Sequence, residues 1–117
     1  MSISKHFKRY EFACKCACGF DTADIETVAV LEDVRQHFGS PVMITSFCRC
    51  EKHNKSVGGS ASSQHLLGRA ADIVVSDVPA IDVYNYLDKK YTGIYGLGSY
   101  SNFTHVDTRG MCARWEG

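Results

Sequence analysis

The sequence lacks the features that would send it to nucleic acid or into a membrane. Its 13 basic and 13 acidic residues cancel, and the basic ones are spread along the chain, so no cationic face gathers to attract phosphates or anionic lipid. No apolar run approaches the roughly 20 residues that a spanning helix needs. The opening Met1-Ser2-Ile3-Ser4-Lys5-His6 has no apolar stretch of the kind a secretion signal carries. These absences predict a monomer made in the cytoplasm, with no nucleic-acid and no membrane partner. There are only two prolines in 117 residues, and no repeat or low-complexity tract breaks the chain. One core is therefore expected, and with it a single domain over residues 1–117.

Cysteine, by contrast, is abundant. Five of the six fall in two tight groups, Cys14/Cys16/Cys18 and Cys48/Cys50. Three readings stay open. Disulfides need an oxidising compartment, and residues two apart bridge only with strain. A structural zinc site is the second, although Cys-x-Cys-x-Cys is not the usual Cys-x2-Cys knuckle. Reduced thiols are the third. A thiol nucleophile is disfavoured, because no cysteine sits in a recognisable Cys-His peptidase context.

Periodicity organises the rest. Residues 1–20 read as an irregular, cysteine-bearing segment. Over residues 22–38, Ile25, Val28, Leu31, Val34 and Phe38 recur at helical spacing, with Asp21 or Thr22 as N-cap and Gly39 as the stop. Pro41 to Thr45 is β-prone, residues 46–64 read as loop with one helical turn, and Ala70 to Val75 reads as a buried strand. Pro79 opens a second helix whose apolar side includes Ile81, Val83, Tyr84 and Leu87. Residues 91–100 and the run Phe103 to Thr108 read as late strands. The expected class is α+β, a mostly antiparallel sheet with helices packed on it.

Two stretches carry chemistry. Ser63-Gln64-His65-Leu66-Leu67-Gly68-Arg69-Ala70-Ala71-Asp72 sets a histidine in a loop and a carboxylate at a strand start, and Phe103-Thr104-His105-Val106-Asp107 sets a second histidine on a strand. Two imidazoles and a carboxylate are donors suited to zinc, and three protein ligands leave a fourth position for water, the count of a catalytic site. Alone, a His-x6-Asp spacing is a loose signal. Ser-x-His-x-x-Gly-x-Ala-x-Asp followed by Phe-x-His-x-Asp, with Ser46-Phe47-Cys48-Arg49, His53-Asn54 and Val57-Gly58-Gly59 upstream, is far more specific. In this set the chain resembles the zinc D-Ala-D-Ala carboxypeptidases and related peptidoglycan peptidases of family M15, which share a fold with the Hedgehog signalling domain.

That resemblance implies a zinc-dependent peptidase acting on peptidoglycan stem peptides or cross-links, with His65, Asp72 and His105 as the zinc ligands. It also implies substrate contacts from Arg49, whose planar fork suits a peptide carboxylate, and from Ser63. Several relatives carry an acid three positions before the second zinc histidine, or a histidine two before it; Asn102 and Phe103 stand there in this chain. Asp107 is then the nearest carboxylate, and side chains two apart on a strand share a face, which makes Asp107 the candidate general base. The rival readings are a zinc-holding but non-catalytic binding module and a structural domain of a phage particle. Compact size without an export signal resembles the lysis enzymes of phages and prophages.

Overall fold

In a computed structural model, which describes residues 2–117, the elements follow the order that the periodicity implies, with one addition at the C-terminus. Helix α1 (Ile25–Phe38) leads to β1 (Val42–Ser46), α2 (Glu51–Ser56), β2 (Ala70–Val75), α3 (Ala80–Lys90), β3 (Gly96–Ser99), β4 (Thr104–Asp107) and β5 (Ala113–Glu116). Short 3-10 turns at Arg9–Phe12 and Gln64–Leu67 complete the chain. The sheet order is β1-β2-β4-β3-β5, antiparallel throughout except for the parallel pair β3/β5. The fold is α+β. No helix among the described residues is long and apolar enough to cross a membrane.

The period of two along the strands divides the sheet into an apolar and a polar face. Ala71, Ile73 and Val75 on β2, Leu97 on β3 and Val106 on β4 join one buried cluster with Val28, Leu31 and Val34 of α1 and Val83 and Leu87 of α3. The intervening residues, Asp72, Gly96, Gly98, His105 and Asp107, lie on the opposite face. One side of the sheet holds the core, and the other holds the chemistry.

Several local expectations need correction. The α1 N-cap is Asp24, not Asp21 or Thr22: its Oδ1 accepts from the N–H groups of Glu26 and Thr27 at 2.8 and 3.3 Å, filling donors that the first turn leaves free. Starting the helix there puts Ile25 in its first turn, 86% exposed, while Thr27 and Val30 take places on the buried face. Ile81 is likewise exposed, and Pro79 caps α3 rather than opening it. Gly39 ends α1 as expected, in the left-handed conformation. The N-terminal segment is more than an irregular lead, because Phe7, Phe12 and Cys14 are core residues. The rings of Phe12 and Phe47 meet edge to face at 4.6 Å.

Candidate metal centre

Three of the predicted residues reach the polar face by different routes. Asp72 and His105 are direct cross-strand partners in the β2/β4 register, so the ladder itself sets them side by side. His65 comes from the 3-10 turn before β2, and that turn is held from three directions. The Ser63 hydroxyl accepts the His65 N–H at 3.2 Å, Arg49 N–H donates to the His65 carbonyl at 3.1 Å, and His65 Nδ1–H donates to the Phe47 carbonyl at 2.7 Å. The last bond fixes the tautomer: with its proton on Nδ1, the His65 ring turns the Nε2 lone pair inward.

The resulting geometry is convergent. His65 Nε2 lies 3.3 Å and His105 Nδ1 2.9 Å from the same oxygen, Asp72 Oδ1, and one donor atom from each of the three residues falls within 4.8 Å of the others. Among the described residues, His65 Nε2 is the one buried side-chain nitrogen or oxygen without a hydrogen-bond partner. The outer nitrogen of His105, Nε2, lies 2.7 Å from Asp107 Oδ2. The His65 N–H thus points outward to Phe47, whereas the His105 ring is held between two carboxylates, Asp72 on its inner nitrogen and Asp107 on its outer one. Two imidazoles and a carboxylate converging in a buried place can hold a cation once the inner nitrogen of His105 gives up any proton it shares with Asp72, and the mixed N/O donor set fits zinc.

The electrostatics agree. Burial opposes ionisation of Asp72, but the imidazoles of His105 and His65 beside it favour its charged form and hold its carboxyl well below the usual range. Asp107 is also buried, and its bonds to Arg109 and His105 push its carboxyl down in the same way. Burial alone would lower the His105 imidazole, yet its bonds to Asp107 and Asp72 raise it. The centre lies in an open cavity of about 390 Å³ whose walls include Arg49, Ser63, Tyr100, Phe103, Arg109 and Trp115.

With this geometry in place, the comparison with known proteins is direct: the family model described as Peptidase M15 matches residues 5–107. The chain belongs to the M15 peptidase family. It is also 35% identical over 66 residues to a Haemophilus influenzae (strain ATCC 51907 / DSM 11121 / KW20 / Rd) protein named as the probable peptidoglycan L,D-endopeptidase MepK, a match covering 56% of this chain and 35% of that protein. The M15 chain therefore spans only about a third of that relative's length.

Of the remaining residues singled out in the sequence, Arg49 and Ser63 line the same cavity. Arg49 donates from Nε to Ser46 Oγ at 3.1 Å, from Nη1 to Asn54 Oδ1 at 3.2 Å and from Nη2 to Asp72 Oδ2 at 3.3 Å. Asp107 shares the face of His105, as strand alternation requires, but it lies behind the ring. Its carboxylate is fully buried, with Oδ2 on His105 and on Arg109 Nη2 and Oδ1 on Arg109 Nε, each at 2.7 Å.

The sequence reading missed the aromatic wall. Trp115 on β5 packs its ring 5.0 Å from His105 and donates from Nε1 to the Tyr100 hydroxyl at 2.9 Å. Tyr100 in turn stacks on Phe103 at 4.3 Å. Glycines on β3 make the space: a Cβ at Gly98 would meet Trp115 Nε1 at 2.5 Å, and one at Gly96 would meet Asp107 Oδ1 at 2.5 Å. The available signal was the spacing Gly96-x-Gly98 in a strand candidate, which marks close approach by another group.

Proposed function

We propose that this M15 chain is a zinc-dependent peptidase that hydrolyses a peptide bond in the stem peptides or cross-links of peptidoglycan, with the metal on His65, Asp72 and His105. The observation that carries the proposal is the convergence of one possible ligand atom from each of His65, Asp72 and His105 within 4.8 Å of one another, with the His65 Nδ1–H tied outward to the Phe47 carbonyl. Zinc bound there supplies Lewis-acid polarisation of the scissile carbonyl and activation of water near neutral pH. Family membership and the activity named for the Haemophilus relative support peptidoglycan as the substrate, and make its L,D bonds the first to assay.

The chain's own groups bind and orient. The guanidinium of Arg49 has five N–H donors, of which Nε, Nη1 and Nη2 each commit one to the protein. The other two are free for a substrate carboxylate on the cavity side. Ser63 stands beside the path with its oxygen on the His65 turn, and its hydroxyl hydrogen is available to a peptide carbonyl. Tyr100, Phe103 and Trp115 form an apolar side that displaces water from a bound peptide. Asp107 serves as a positioning residue: by holding His105 Nε2–H it fixes the ring and strengthens the inward nitrogen as a donor. This replaces the general-base role expected for Asp107, because its oxygens are spoken for and it has no exposed surface.

The test is release of amino groups from purified peptidoglycan and from synthetic stem peptides, lost with chelator and restored by zinc. A second reading has one observation in its favour: among the described residues lining the cavity, Asp72 is the sole carboxylate. On that reading the chain is a zinc-holding binding module, and it would bind stem peptide without releasing amino groups.

A further inference from the structure

The cysteines divide into a converging group and two others. Cys14, Cys16 and Cys18 from the N-terminal segment and Cys50 from the loop before α2 bring their Sγ atoms within 4.8 Å of one another. Cys16 Sγ lies 3.4 Å from both Cys14 Sγ and Cys50 Sγ. Proximity in sequence does not account for this selection. Cys48, two residues from Cys50, turns away and donates its S–H to the Thr22 carbonyl at 3.0 Å, and Cys112 is exposed elsewhere.

The backbone is shaped around the four sulfurs. Ala17 N–H bonds to the Cys14 carbonyl at 3.1 Å, and Cys14 N–H bonds to the Phe20 carbonyl at 2.8 Å. The turn between them places Ala17 at φ 62°, a left-handed conformation unusual for a residue with a Cβ. An extended Cys-x-Cys-x-Cys would spread its thiols along a line; this turn curls them round a point. Two backbone N–H groups then aim at sulfur: Cys50 N–H at Cys14 Sγ and His53 N–H at Cys50 Sγ, both at 3.4 Å. Sulfur is the acceptor in both, the second being the N-cap bond of α2, and a thiolate accepts such bonds more strongly than a thiol.

We propose that Cys14, Cys16, Cys18 and Cys50 form a second metal site, a closed tetrathiolate holding a structural zinc ion. Zn–S bonds of about 2.3 Å in a tetrahedron put sulfurs about 3.8 Å apart, a value inside the observed spread of separations. Four protein ligands leave no position for water, so the site is structural and not catalytic. A disulfide explains less. It joins two sulfurs at about 2.05 Å and gives no reason for four to gather, nor for N–H groups to point at them. The consequence is mechanical: the metal ties the segment that contributes Phe7 and Phe12 to the core onto the loop carrying Arg49, next in sequence to Cys50. The loop forming the peptidase cavity is thereby clamped from outside by a metal that takes no part in its chemistry.

The full chain, purified anaerobically with zinc present, should contain two zinc ions by elemental analysis. His105→Ala should keep one, and X-ray absorption at its zinc edge should show a sulfur-only shell at about 2.3 Å. Cobalt in place of zinc in that variant should give the intense thiolate charge-transfer absorption of a sulfur site. Cys18→Ser, at an exposed ligand, should lose about one zinc from the wild-type chain while the His65 site stays filled. The proposal is overturned if His105→Ala holds no zinc and its thiols react freely in the folded protein. It is also overturned by nitrogen or oxygen scatterers at that zinc, by two zinc ions retained in Cys18→Ser, or by a Cys16–Cys50 disulfide in the anaerobic preparation. Should Cys18→Ser fail to fold, the absorption edge of His105→Ala still decides. One sulfur-bound zinc in the wild type and none on His65 would leave this site standing and sink the peptidase centre instead.

Discussion

Asp107→Asn separates positioning from proton transfer. The carboxylate is buried, bonded at 2.7 Å to His105 Nε2 and in a two-pronged pair to Arg109. Asparagine keeps the shape and one acceptor oxygen but loses the charge, and its amide must turn either NH2 toward Arg109 or NH2 toward His105. One charge-assisted hydrogen bond is worth about 1.5–3 kcal/mol. Lost from the imidazole that donates to the metal, it converts to roughly one to two powers of ten in zinc affinity, the range seen when such outer partners are removed. Arg109 is partly exposed and can turn to water, so the fold should survive. The assay is zinc affinity by competition with a chelating dye, with turnover measured at saturating zinc on the same preparation. A 10- to 100-fold weaker affinity with turnover largely recovered by excess zinc is expected. Unchanged zinc affinity with turnover down by about 100-fold or more would refute the positioning argument and restore Asp107 as the base.

Arg49→Ala should lower kcat/KM on a stem peptide by about 10- to 100-fold, from loss of one charged hydrogen bond, with zinc retained. Arg49→Lys should recover only part, because a point charge cannot replace the fork; unchanged cleavage in Arg49→Ala would make the residue peripheral. Gly96→Ala should destabilise by about 1–3 kcal/mol through overpacking against Asp107 and Arg109 and weaken zinc binding with it, as thermal melts and the dye competition would report. Asp33 accepts from the hydroxyls of Tyr86 and Tyr91 at 2.8 Å each and from Lys90 at 2.9 Å; burial opposes its ionisation, but these bonds hold its carboxyl below the ordinary 3.8. Its contribution is therefore complete above that value and lost as pH falls through the depressed one. Asp33→Asn should cost about 2 kcal/mol at pH 7 for the tyrosine bonds, and the melting curves of variant and wild type should converge in acid.

Legibility in the sequence followed the strength of local periodicity. Helix α1, strand β2 and the run around His105 were readable because apolar residues recur at fixed intervals, and alternation on β4 correctly put His105 and Asp107 on one face. Alternation cannot say how far a side chain reaches along that face, so the pairing of Asp107 with Arg109 was visible only in three dimensions. The strand β5 carries no apolar alternation: Ala113, Arg114 and Trp115 are all only partly buried, and the strand is fixed by parallel pairing with β3, a long-range choice that no local pattern records. Phe7 and Phe12 sit in a segment without periodicity, so their place in the core was hidden for the same reason. The four-cysteine convergence depends on a left-handed conformation at Ala17, a residue type that does not announce it, although Gly19 in the same turn is also at positive φ.

The two halves of the metal centre are built to different tolerances, and this bears on why the surrounding loops are so heavily tied. Asp72 and His105 are neighbours on adjacent strands, so their separation is set by the ladder and by the packed core on the sheet's other side. His65 has no such frame; its turn depends on single bonds to Phe47, Arg49 and Ser63. Two of those partners lie on residues 47–49, the stretch that also packs against Phe12, and Cys48 N–H reaches the Phe12 carbonyl at 3.0 Å. Error in the N-terminal segment would therefore pass through Phe12 and Phe47 directly into the position of the His65 ring. A metal at the four cysteines, one residue beyond Arg49, would restrain that stretch from its other end. The precision that the sheet gives to Asp72 and His105 is thus supplied to His65 by core packing on one side, and would be supplied on the other by the proposed thiolate clamp.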